Sequence, residues 1–129
     1  MRVKTSELTG RVLDYVVAHY EGVPVYVKHG VALECVDSDL HDPIFYSPRT
    51  DYEQGCPIVD RETICTRYLP DQQPDQHWEA GLPRTNAQSG VFWMARGPTR
   101  LVAALRCHLM ARLGFEVDIP ENVWEKLNT

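Results

Sequence analysis

The chain has 129 residues, of which 43% are hydrophobic and 24% charged, with a formal net charge of −5. This size and balance fit one domain with a real core, exclude wholesale disorder, and weigh against a nucleic-acid surface spread over the whole molecule. No stretch approaches the roughly 20 apolar residues of a membrane helix, and charge enters the first residues too early for a signal peptide, so the expected location is the cytosol.

Residues 2–5 alternate weakly and are expected to pair as an edge strand. Ser6 then offers an N-cap with Glu7 in the first turn, and the spacing from Leu8 onward is helical. Leu8, Val12, Tyr15, Val16, His19 and Tyr20 share one face, with Arg11, Asp14, Ala18 and Glu21 opposite. Gly22 and Pro24 stop this helix, which spans 7–21. Val23 to Val36 reads as a hairpin turning at Lys28-His29-Gly30. Asp37 to Pro43 is a polar loop, and Ile44-Phe45-Tyr46 forms a short strand.

Residues 47–62 look loop-like, with Pro57 opening a short helical turn through Glu62. Ile64 to Leu69 is a strand. Residues 70–90, rich in Pro, Gly and Gln, are expected to be an exposed, mobile loop. Val91 to Met94 is a strand leading to Gly97-Pro98. Thr99 caps a second helix that ends at Gly114 and is apolar most of the way round, as an element covered on two sides must be. Phe115 to Ile119 is a last strand, and Pro120 starts a short helix that buries Val123, Trp124 and Leu127.

Charge is unevenly placed. Residues 34–79 hold three Arg against eleven Asp and Glu, whereas 80–115 hold five Arg and no acid, so the two segments are expected to face each other. Cys35, Cys56, Cys65 and Cys107 form no C-x-x-C pair and are read as reduced thiols in or near the core, not as metal ligands. No P-loop, nucleophile elbow, dinucleotide fingerprint or zincin motif is present. Neither His19 nor His108 stands out as catalytic. Trp78, Trp93, Tyr52 and Phe92 could stack on bases, but basic residues are not interleaved with them. Arg84, Arg96, Arg100 and Arg112 would have to carry any DNA contact.

Arg106 is the sharpest anomaly, because it projects from the apolar arc of the second helix. A guanidinium stays charged and needs partners when desolvated. Asp51, Asp60 and Glu62 are the expected partners; the alternative is an anion-binding arginine at the floor of a pocket. The segment Tyr46 to Gly55 concentrates side chains of the ligand-binding kind.

Three stretches resemble the NinX-type proteins of tailed bacteriophages: Met1–Glu21, with its Leu13-Asp14-Tyr15; Tyr46–Ile64 (YSPRTDYEQGCPIVDRETI); and Gly97–Pro120 (GPTRLVAALRCHLMARLGFEVDIP). The chain departs from that pattern at Arg49 (a small Ser in the family), Tyr52 (Trp), Cys56 (Gly) and Arg100 (Pro). The resemblance implies a phage or prophage accessory protein in the bacterial cytoplasm, without naming a reaction. It places Ser47, Thr50, Asp51, Gln54, Gly55 and Arg106 in shared motifs.

The reading is therefore an α+β single domain over 1–129. A small, mainly antiparallel sheet packs against helices 7–21 and 99–113, with a short C-terminal helix. The expected function is non-enzymatic binding of a host or phage macromolecule, with a protein as the expected partner. The alternative is an anion or nucleotide site, with Asp51 as base if hydrolytic, formed by Tyr46, Ser47, Thr50, Asp51, Tyr52, Gln54, Gly55 and Arg106. No catalytic residue, metal or cofactor is assigned; nucleic acid is disfavoured and a membrane excluded.

Overall fold

The computed structural model describes residues 1–28, 32–35, 45–83 and 92–127. Two helices are its axis: α1 (Gly10–Glu21) and α3 (Arg100–Leu113). The strands fall into three small antiparallel sheets, where the sequence suggested one. The α+β class stands, with the strands distributed over separate faces. β1 (Arg2–Lys4) pairs β7 (Glu116–Asp118). β2 (Val25–Lys28) pairs β3 (Ala32–Cys35), which matches the expected hairpin; His29 and Gly30 of its turn lie outside the described residues. β4 (Cys65–Tyr68), β5 (Trp78–Pro83) and β6 (Phe92–Gly97) form a sheet with β5 central. α2 (Tyr52–Glu62) and α4 (Glu121–Leu127) complete the described elements.

α3 separates two hydrophobic clusters. Val102, Leu105 and Leu109 face Leu8, Val12, Leu13, Val16, Val17, Tyr46, Ile58, Ile119 and Leu127. Leu101, Ala103, Ala104, Cys107 and Met110 face Val59, Ile64, Ala80 and Ala95, with Trp78 and Trp93 packed alongside. Small residues on this second side let the sheet approach the helix closely. Gly97 shows how closely: a Cβ there would lie 2.9 Å from the Ala103 nitrogen. Thr99 caps α3 as expected, its side chain accepting from the Val102 N–H at 3.2 Å, and Gly114 (φ +90°) ends it.

Several expectations are corrected. α1 begins at Gly10, not residue 7: a 3-10 turn over Thr5–Glu7 comes first, and Thr9 rather than Ser6 precedes the helix. Its buried surface is wider than one stripe, since Asp14 and Ala18 are buried while His19 and Tyr20 are exposed. Neighbours on several sides cover α1 until its last turn. The 47–62 segment is a turn followed by an 11-residue helix, not a loop with one helical turn. Pro57 lies inside that helix and removes one main-chain bond, a cost of about 3 kcal/mol. Burial of Gly55, Ile58 and Val59 offsets it. Within 70–90, residues 78–83 are not a loop but the middle strand, with Ala80 fully buried; 84–90 lie outside the described residues. Phe45 occupies a bridge position, while Ile44 and residues 37–43 are also outside the description. Cys107 is buried and Cys56 half-buried as expected, but Cys65 is exposed; the Cys35 side chain is not among those described.

Candidate functional site

The Tyr46–Gly55 segment folds on itself. Asp51 caps α2, its carboxylate accepting from the Glu53 N–H at 2.9 Å. Gln54 reaches back: its Oε1 accepts from the Ser47 N–H at 2.6 Å and its Nε2 donates to the Phe45 carbonyl at 2.9 Å. The Ser47 and Thr50 hydroxyls are 2.6 Å apart, and the Thr50 and Asp51 N–H groups donate to the Ser47 carbonyl. Gly55 allows contact with both the turn and α3, since a Cβ would lie 2.4 Å from the Pro48 carbonyl oxygen and 2.9 Å from Leu101. Tyr46 is buried in the core, and Tyr52 is exposed. The polar groups of Thr50, Asp51 and Gln54 thus serve the segment's own turn and helix cap.

Asp14 is the residue that sequence reasoning misplaced. Only 1% of it is exposed. It accepts from the Arg49 main-chain N–H at 3.2 Å, Arg49 Nε at 2.9 Å and the Ser47 hydroxyl at 3.4 Å, which fastens α1 to the turn before α2. Burial pushes its carboxyl up to about 6, against the pull of Arg49 and Ser47. The one sequence signal was its place in Leu13-Asp14-Tyr15.

A second unforeseen cluster joins three helices. His108, fully buried rather than near an edge, lies 3.1 Å from Glu21 through Nε2 and 3.5 Å from Glu62 through Nδ1. Arg61 reaches Glu21 at 2.6 Å and Glu62 at 3.3 Å, and Arg112 pairs with Glu62. Burial holds the imidazole below its ordinary value despite both carboxylates. Burial also opposes ionisation of Glu21 and Glu62, yet the bonds from Arg61 and Arg112 keep both low. The Cys107 thiol, pushed up to about 12 by burial, is no nucleophile at neutral pH.

Arg106 has neither the expected acids nor the expected neighbours. Its Nε donates to the Leu8 carbonyl and its Nη1 to the Arg96 carbonyl, each at 2.7 Å. No described carboxylate pairs with it; Asp75 and Glu7 act on it from farther away, and burial lowers its pKa. It lines a cleft of about 690 Å³ with Ser6, Glu7, Asp75, Gln76, Glu79 and residues 94–96. None of the 46–55 residues lines that cleft, so it is not the pocket expected between that segment and Arg106. A main-chain carbonyl clamp has no signature in a list of charges.

The acidic and Arg-rich segments do meet in part. Glu79 bridges Arg67 at 2.7 Å and Arg96 at 3.2 Å, and Glu62 holds Arg112. Arg100 donates to the Thr66 hydroxyl, and Arg84 is outside the described residues. Two of the four arginines considered for DNA are therefore neutralised internally. Among the described residues no group of His, Cys, Asp and Glu suits a metal ion, and no helix is long and apolar enough to cross a membrane.

No curated protein matches the chain. The family model described as Bacteriophage P22, NinX covers residues 4–112, a span that takes in the Asp14 clasp, the Asp51 cap, the buried histidine cluster and the Arg106 clamp, and the chain belongs to that family.

Proposed function

We propose that this phage-family protein is a non-enzymatic binding module in the bacterial cytoplasm, and that it engages a protein partner through the cleft at Arg106. The observation that supports this reading is the state of Arg106 itself. Two main-chain carbonyls fix the guanidinium, no described carboxylate pairs with it, and Nη2 takes no described partner. A preorganised cation beside a cleft favours an acceptor group brought by another molecule, because little further ordering is needed on binding. Exposed Met94 on the same cleft supplies an apolar contact. Chemistry at Cys107 or His108 is disfavoured, since the one is a protonated thiol and the other is sealed from solvent.

A photo-crosslinking amino acid at Gln76, exposed on the cleft wall, tests this reading in host lysate. We expect one discrete cross-linked species, identified by mass spectrometry. It should vanish when Ser6→Glu, also exposed, brings a competing carboxylate to Arg106. A species that persists unchanged in Ser6→Glu, or a diffuse smear, counts against the cleft as the contact.

A further inference from the structure

The cleft runs along an unguarded strand edge. β6 is the last strand of its sheet, and no described strand covers its other side. Pro83 stands opposite Phe92. Proline has no N–H, so this pair cannot exchange both ladder bonds. The alternation of an antiparallel ladder then turns the main-chain groups of Phe92, Met94 and Arg96 outward. The carbonyl of Arg96 behaves accordingly, accepting from the Arg106 side chain. No described turn or loop bonds the outward groups of Phe92 and Met94. Their side chains are 46% and 49% exposed.

Edge strands usually carry lysines, prolines, bulges or inward charges that prevent pairing. From Phe92 to Ala95 this one carries none. Charge enters only at Arg96, where the side chain is matched by Glu79 and the carbonyl is held by Arg106. β6 itself bears no carboxylate. Glu7 and Asp75 across the cleft act on Arg106 only from a distance, and no described carboxylate is ion-paired with it, so a carboxylate brought into contact has the guanidinium to itself.

We propose that β6 accepts an extended segment of a protein partner as a fourth strand. Apolar side chains of the segment sit beside Phe92 and Met94, and a carboxylate of the segment reaches Arg106. This deepens the cleft reading above and rests on it. The paired stretch from Phe92 to Arg96 is about 13 Å long at a strand rise of about 3.3 Å per residue. It is strand addition, in which main-chain bonds give affinity and alternate side chains give selectivity.

The probe is a displayed library of random linear peptides selected against the folded chain. Enriched peptides should share an acidic residue and apolar residues at alternate positions. A synthetic representative should bind at least about tenfold more weakly to Met94→Pro, which removes one outward N–H and leaves the β5 register intact. Phe92→Lys with Met94→Lys, which guards the edge through exposed side chains alone, should weaken it similarly. Methylation of the peptide's amide nitrogens should abolish binding at every second residue only. Peptides that bind both edge variants as tightly as wild type overturn strand addition. If Ser6→Glu still abolishes their binding, the cleft reading survives; if it does not, both fall. A library that yields no enriched peptide also overturns the proposal.

Discussion

Asp14 shows how one buried carboxyl gives the protein a pH response. Its folded pKa of about 6 lies above the ordinary carboxylate value of 3.8, so the folded state holds the proton more tightly than the unfolded chain. Stability from this group is greatest at low pH and declines as pH rises from about 4 to 6. Between about pH 4.5 and 7.5 the decline amounts to about 2 kcal/mol. Asp14→Asn keeps an acceptor for the Arg49 N–H but cannot titrate. The stability of Asp14→Asn relative to wild type, followed by urea unfolding, should rise by about that amount across the interval; a constant difference would refute the assignment. Gly55 makes a steric argument of the same local kind. Ala is the better helix former by about 1 kcal/mol, but its methyl would meet the Pro48 carbonyl oxygen at 2.4 Å. We expect Gly55→Ala to lose about 2 kcal/mol net, because main chain cannot yield as a side-chain tip can. An unchanged or raised denaturation midpoint would show that the turn before α2 is softer than its hydrogen bonds suggest.

At the scale of elements, three helices are joined by Glu21 from α1, Arg61 and Glu62 from α2, and His108 and Arg112 from α3. Glu62 is held below its usual value although burial opposes this, so its stabilisation is complete above about pH 4.5 and is lost as the carboxylate protonates below it. Glu62→Gln should cost about 2 kcal/mol near neutrality. That cost should shrink toward zero as pH falls through the acidic range, because wild type then loses the same charge. An equal cost at both ends would mean that packing, not charge, ties α2 to α3. Little of this cluster was legible in the sequence, for a definite reason. Thr99, Gly114 and the apolar wheel between them specify α3 locally, so its limits could be read directly. α2 contains Gly55 and Pro57, both poor helix formers, and owes its helix to the Asp51 cap and to burial of Gly55, Ile58 and Val59, which no local pattern announces. β5 likewise contains Gly81 and Pro83 and owes its place to partners on both sides. The candidate site was legible to the same degree: Arg106 stood out as a charge in an apolar arc, but the carbonyls that hold it belong to Leu8 and Arg96, whose side chains give no hint of the contact.

The whole molecule depends on α3 lying between two clusters that scarcely share other residues. If α3 is the common element, neither cluster can melt alone, because loss of the helix exposes both. Leu109 tests this, being fully buried on the side that faces α1. Leu109→Ala should cost about 3 kcal/mol in lost burial and residual cavity. The distant consequence is the informative one. Trp78 and Trp93 belong to the opposite cluster, whereas Trp124 packs on the Leu109 side. In a Trp124→Phe background, fluorescence therefore reports on the sheet side alone. Leu109→Ala should shift the fluorescence midpoint in urea as far as it shifts the helical circular dichroism signal, with both transitions superimposed. Should fluorescence keep its original midpoint while the dichroism moves, the two clusters would be separate folding units. The Arg106 clamp, which ties Leu8 on one side to Arg96 on the other, would then join halves that unfold independently.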